Sequence, residues 1–224
     1  MTISEMHIMF RTIGQQKGMQ LVRAILPEEI DDYLNAAIIE FVRTVVQTNI
    51  DIIGKSIGKT STLSTDGITP YNAIRTLYTE VRESITQPLT NEYYSLELLN
   101  TQHNYMQIIG VNILYDTNGH IYPCRIITPS ELANTLNDYC NKPDKEYPCC
   151  LITTNNIGNI EFHFYTNNNF PVEAILHVIK VPITVNYNNS VNCDLPDYVH
   201  QEIVERAVQK FFISVGATSN QNKQ

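Results

Sequence analysis

The residues most able to do chemistry are the stretch Gly54-Lys55-Ser56-Ile57-Gly58-Lys59-Thr60. Gly-Lys-Thr is how a phosphate-binding P-loop ends. Such a loop needs its first glycine five positions before Gly58, so that backbone amides can cradle phosphate, and it must follow a strand. Ile53 stands at that position, and the preceding segment patterns as a helix. The stretch reads as a chance partial match, with nucleotide binding kept only as an alternative. The histidines are His7, His103, His120, His163, His177 and His200, and none falls into His-Glu-x-x-His. His120 and Cys124 share one face of an expected strand, but a zinc site needs two further ligands at a recognisable spacing. Cys149 and Cys150 are adjacent in a strand-like run, which points one thiol inward and the other outward, with no base and orienting group attached. No Gly-x-Ser-x-Gly elbow occurs. These residues lead to no expectation of catalysis, a bound cofactor or a metal.

The elements around them are more informative. Thr2 and Glu5 have capping-box spacing and open a first helix carrying Ile3, Met6, Phe10 and Ile13. Leu26-Pro27-Glu28-Glu29 opens a stronger one, with proline in the first turn and acids at the positive end of the dipole. Its stripe runs Ile30, Tyr33, Leu34, Ala37, Ile38, Phe41, Val42, Val45. Ile39, Val46, Ile50 and Ile53 form a second apolar line. It suits either a helix buried on two sides of its own core or one that also packs on another subunit. Residues 54–69 read as a Gly/Ser/Thr-rich loop. Pro70 opens an expected third helix with Tyr71, Ile74, Leu77, Tyr78, Val81 and Ile85 on one face, and residues 89–104 fit no period.

From Met106 the period changes to two. Asp116-Thr117-Asn118-Gly119 is a hairpin signal, and His120–Ile127 is the returning strand. Thr128-Pro129-Ser130-Glu131 caps a short helix. Tyr147–Thr154, Ile160–Tyr165 and the β-branched run Val172–Asn186 are further strands, the last interrupted by Pro182. Leu195-Pro196-Asp197 opens a final helix with Val199, Ile203, Val204, Ala207, Val208, Phe211, Phe212 and Val215 on its face, which Gly216 is expected to stop. The expected fold class is α+β: a helical bundle with an inserted antiparallel β module between the N-terminal helices and the C-terminal helix. The expected parts are helices over 1–104, the β module with one short helix over 105–190, the bundle-completing helix over 191–216 and a polar tail over 217–224.

The chain has 224 residues, 43% hydrophobic and 17% charged, and a net charge of −8. That composition supports a folded core, and that charge disfavours gripping a phosphate backbone. Five cysteines, an odd number, with no Cys-x-x-Cys, suit synthesis in a reducing cytosol. Met1-Thr-Ile-Ser-Glu lacks the regions of a signal peptide, and no apolar run would span a bilayer, so no membrane association is expected.

Three stretches in this order resemble the head-to-tail connector, or adaptor, proteins of short-tailed phages, including those of the crAss-like group. They are Leu26-Pro-Glu-Glu-Ile-Asp-Asp-Tyr-Leu-Asn-Ala-Ala; the series from Ile121-Tyr-Pro-Cys-Arg-Ile-Ile-Thr-Pro-Ser-Glu-Leu through Glu146-Tyr-Pro and Ile160-Glu-Phe-His-Phe-Tyr-Thr to Ile175-Leu-His-Val-Ile-Lys-Val-Pro182; and Leu195-Pro-Asp-Tyr-Val-His-Gln-Glu-Ile-Val-Glu-Arg-Ala-Val. The resemblance covers most of residues 20–215. The loop at 54–69 and the polar 187–194 segment depart from it. It implies a structural virion protein of the neck, made in the host bacterial cytoplasm, not an enzyme. It implies a homo-oligomeric ring, twelvefold, that joins the portal to the next tail or ring protein. DNA would pass through its channel during packaging and ejection, without sequence-specific binding. Twelve copies at −8 would make a negative wall to which phosphates do not adhere. Candidate interface residues are Ile39, Val46, Ile50, Phe211 and Phe212, the last two together with the tail. Candidate channel-lining acids are Glu28, Glu29, Asp31 and Asp32. A lower tail ring or tail-completion protein is the alternative within the same class.

Overall fold

The computed structural model describes residues 1–17, 25–56, 72–85, 93–98, 105–116 and 119–221. The chain divides into two compact units, Met1–Leu77 with Pro182–Gln224, and Tyr78–Val181.

The first unit holds α1 (Ile3–Gln16), α2 (Pro27–Ser56) and, after a short 3-10 turn at Asp197–Val199, α4 (His200–Gln221). The capping box of α1 forms as its sequence expects: the Thr2 N–H donates to Glu5 Oε2 at 2.8 Å, and the Glu5 N–H to Thr2 Oγ1 at 3.3 Å. α4 packs on both α1 and α2. It runs antiparallel to α2, since Tyr33 meets Ser214 while Phe41 meets Arg206. The α2 stripe Ile30, Leu34, Ala37, Ile38, Phe41 and Val42 is buried, facing Ile203, Val204, Ala207, Val208 and Phe211. Each such large side chain contributes about 1.5–3 kcal/mol by leaving water. α2 runs through the expected loop start to Ser56, and α4 continues past Gly216 to Gln221. The remainder of the expected 54–69 loop, Pro70, Tyr71 and the end of the polar tail lie outside the described residues.

The second unit is one seven-stranded mixed sheet curved into a half-barrel. Its strands are β1 (Tyr78–Ser84), β2 (Tyr94–Leu98), β3 (Tyr105–Leu114), β4 (Tyr122–Ile127), β5 (Cys149–Thr154), β6 (Ile160–Tyr165) and β7 (Glu173–Lys180). The order across the sheet is β1-β7-β3-β4-β5-β6-β2. β4 is shared along its length: residues 122–124 pair with β3, and 125–127 pair with β5. One side of the sheet carries Leu96, Leu98, Val111, Ile113, Phe162, Phe164, Leu176 and Val178. On the other side α3 (Pro129–Asn137) lays Leu132 and Leu136 over Ile127, Cys149, Leu151 and Tyr165.

This architecture overturns the expected helical bundle with an inserted antiparallel β module. The sheet dominates the fold, with four helices among the described residues. The expected third helix over residues 70–85 is mostly strand: a short helical turn at 72–73 gives way to β1 at Tyr78. Leu77, Val81 and Ile85 are four apart, a spacing shared by one face of a helix and one face of a strand. Pairing with β7, from Tyr78↔Ile179 to Ser84↔Glu173, decides for the strand. β2 comes from the stretch that showed no period. The sheet is also not wholly antiparallel, because β4 and β5 run parallel. Parallel neighbours need a crossover, and α3 supplies it.

Candidate functional site

The acidic start of α2 works inside its own unit. Asp31 is 5% exposed. Its Oδ1 accepts from His7 Nε2 of α1 at 2.8 Å, and its Oδ2 accepts the Tyr187 N–H at 2.9 Å. The Tyr187 ring stacks on His7 with centroids 4.6 Å apart. Beside it the Asn188 amide donates to Glu28 Oε1 at 2.8 Å, and this bond holds the Glu28 carboxyl below its ordinary range. Asn35 exchanges two hydrogen bonds with the backbone of Val185, at 3.1 and 2.8 Å. Glu29 accepts the Leu26 N–H at 3.1 Å, capping its own helix. The first two turns of α2 therefore clasp α1 and the 185–188 segment. As candidate channel acids, Glu28, Glu29 and Asp32 are exposed, and Asp31 is withdrawn because it is buried and hydrogen-bonded to His7 and Tyr187.

The candidate interface residues divide similarly. Val46 is buried, and Phe211 is a core ring set edge-on to Phe10 and Tyr33 at 5.9 and 5.6 Å. Both are withdrawn as free contact residues. Phe212 is half-buried, with the Lys17 ammonium 5.7 Å from its ring centre. Ile39 is exposed, and the side chain of Ile50 lies outside the described residues. The structure adds Ile213, 71% exposed on α4. It borders an open groove with Glu40, Glu202, Glu205, Arg206, Gln209 and Lys210. Across the groove Lys210 pairs with Glu40, and the Arg206 guanidinium lies over the Phe41 ring at 5.4 Å while bonding Glu202 at 2.7 Å. The Lys210 ammonium holds the Glu40 carboxyl below its ordinary range. Lys210–Glu40 joins the two helices, Arg206–Glu202 lies along α4, and Ile213 is left outward.

In the sheet unit the outward apolar groups sit on turns fixed by asparagine and aspartate. Ile157 is 83% exposed at the β5–β6 turn. Asn155 Oδ1 accepts the N–H groups of Ile157 and Asn159 at 3.0 and 2.9 Å, and Gly158 supplies φ +93. Glu97 of β2 accepts from the side-chain amides of Asn155 and Asn159 at 2.6 and 2.8 Å. Tyr139 is fully exposed beside Asp138, which accepts from the Cys140 N–H at 2.9 Å and the Asn141 amide at 2.5 Å. Those two bonds, the Asn141 amide foremost, lower the Asp138 carboxyl. Sequence reasoning reached the turns but not the displayed residues, since nothing in a turn signal says which neighbour points outward.

Gly54, Lys55 and Ser56 form the last turn of α2, the carbonyl end of a helix, which does not cradle phosphate; Ile57–Thr60 lie outside the described residues. Cys149 and Cys150 are both fully buried, against the expectation of one inward and one outward thiol. Burial pushes the Cys150 and Cys124 thiols far above their ordinary range. Among the described residues no group of three or more His, Cys, Asp or Glu side chains could hold a metal, and no helix is long and apolar enough to cross a membrane. No family model matches the sequence, and no curated protein matches it significantly.

Proposed function

We propose that this chain is a structural ring protein of a tailed-phage neck, a head-to-tail connector that sits beneath the portal and surrounds the DNA channel. The observation that carries the reading is the succession of elements behind the resemblance. β4 is followed by the Pro129-led α3, the Pro148-led β5, a tight β5–β6 hairpin, and β7 ending at Lys180 just before Pro182; the Leu195-Pro196-Asp197 turn then opens α4. Two further features support it. The net charge of −8 suits a wall past which DNA slides. Rigidly held apolar residues, among them Ile213, Ile157 and Tyr139, point to solvent on both units, as contact residues of an assembly would. On this reading the protein does no covalent chemistry. Its work is done by differential contacts: side to side between copies, upward to the portal, downward to the next tail component.

Co-sedimentation with the portal protein of the same genome tests it. The expected result is that the chain travels with the portal. A chain that ignores the portal and travels only with an already assembled neck would place it lower in the tail, the alternative reading. Stabilisation by millimolar nucleotide, against none expected, would turn attention to residues 54–60.

A further inference from the structure

The α2 helix shows two different flanks to solvent. Ile39 is 38% exposed and shares one line of the helix with Asp32, seven residues before it, and Arg43, four after it; both of these are exposed too. Glu40 stands about 100° further round the helix. It faces α4 and borders the open groove of about 400 Å³ that the two helices form. A ridge and a groove on different flanks of one subunit suit a head-to-tail contact, which a closed ring repeats at every copy. We infer that the Ile39–Arg43 ridge of one copy lies in the α2–α4 groove of the next. This inference rests on the ring reading and specifies one side-to-side contact.

Charge complementarity selects a second copy as the occupant. Inside the groove Arg206 pairs with Glu202, and Lys210 with Glu40. Glu205 is left without a cation among the described residues; its Oε1 accepts the Gln201 amide at 3.0 Å. On the ridge Arg43 is exposed and makes no ion pair among the described residues. Groove and ridge thus hold one uncompensated charge each, of opposite sign. Each charge also has an exposed isoleucine on its own line: Ile213, 71% exposed, lies two steps of four beyond Glu205, and Ile39 lies one step of four before Arg43. With the ridge antiparallel to α4, Arg43 meets Glu205 while Ile39 meets Ile213. Ile39 and Arg43 are about 6 Å apart along their helix, and Glu205 and Ile213 about 12 Å. The long arginine side chain spans the difference, laying its apolar stem along the groove. Asp32 then falls past Ile213, clear of Glu202 and Glu205. The ion pair sets partner and register, and the covered isoleucines supply attraction.

In a Cys140→Ser background, Ile39→Cys and Ile213→Cys are introduced into separate chains, which are mixed with the portal and mildly oxidised. Assembly is followed by electron microscopy, and crosslinks by reducing and non-reducing gels. The expected result is a ring whose crosslinked product is a covalent dimer formed only when both variants are present. Rings with no dimer would overturn the ridge-in-groove contact and leave the ring reading standing. A dimer formed by either variant alone would show like faces meeting, which also overturns the inference. No rings from the unsubstituted chain would overturn the ring reading and this contact with it. Charge reversal is the second readout, and it decides where a cysteine variant forms no ring. Arg43→Glu or Glu205→Arg alone should weaken side-to-side assembly severalfold, and the two in one chain should restore it. Failure of the pair to restore assembly would overturn the contact.

Discussion

At the residue scale, the buried His7–Asp31–Tyr187 cluster ties α1 to α2 and the 185–188 segment. Asp31→Ala leaves a buried imidazole and a buried N–H without their acceptor. Leaving buried polar groups unsatisfied in this way costs about 1–3 kcal/mol for each, whereas the exposed Asp32→Ala should change stability by less than about 0.5 kcal/mol. Urea denaturation of the two variants measures the difference; equal midpoints would contradict the clasp. The helical phase held this information. Asp31 falls three before Leu34 and seven before Ile38, on the buried stripe, while Asp32 falls with Ile39 and Arg43 on the outer side. Four acids within five residues read as one solvated group only while phase is ignored. Phe211 and Phe212 carry the same lesson. Phe211→Ala removes a ring packed against Phe10 and Tyr33 and should cost about 3–5 kcal/mol; Phe212→Ala, half-exposed under Lys17, should cost about 1 kcal/mol. Thermal melts of the pair decide it.

At the element scale, local signals fared well where the chain closes short-range bonds on itself. The α1 cap, the Thr128–Glu131 cap and the Asn-rich turns all form. Asn167 and Asn168 take positive φ of 51 and 65, as asparagine tolerates. Gly158 is the sharpest case. Its φ of +93 is costly for any side chain, while a Cβ there would meet nothing within 4 Å. Gly158→Ala should therefore destabilise by about 1–2 kcal/mol through the backbone alone; an unchanged denaturation midpoint would contradict the turn geometry. The signals that failed were long-range. β1 was indistinguishable from a helix, and β2 was silent, because the pairing that fixes each is with a strand distant in sequence, β7 or β6. Parallel pairing of β4 with β5 was legible in the strand–helix–strand order, had the crossover been weighed.

At the scale of the whole molecule, thiols and charge report on the fold. Cys140 alone among the five cysteines is exposed, and Cys193 is pushed up to about 11 by burial. Alkylation at pH 8 followed by mass spectrometry should label Cys140 first and Cys149 and Cys150 last. Early labelling of the vicinal pair would contradict the sheet core. The carboxyls of Glu28, Glu131 and Asp138 are lowered in the folded chain by hydrogen bonds, from Asn188, from the Thr128 N–H and hydroxyl, and from the Asn141 amide with the Cys140 N–H. A lowered folded pKa favours folding above the ordinary carboxylate value, and that contribution is lost as pH falls through the lowered one. Stability should thus be level from pH 7 to about 5 and decline below about 4. The two-unit architecture itself was only half legible. The chain order of helices, strands and helix could be read, but the size of the sheet could not, since the β1 stretch shares the spacing of a helix and the β2 stretch shows no period.

The central claim, a ring beneath a portal, is tested most directly by mixing the purified chain with the portal protein and imaging the product by single-particle electron microscopy. The expected result is a layer of twelve copies on the tail side of the portal, enclosing a continuous channel. Bare portals beside unbound chain, or copies attached without forming a closed layer, would contradict it.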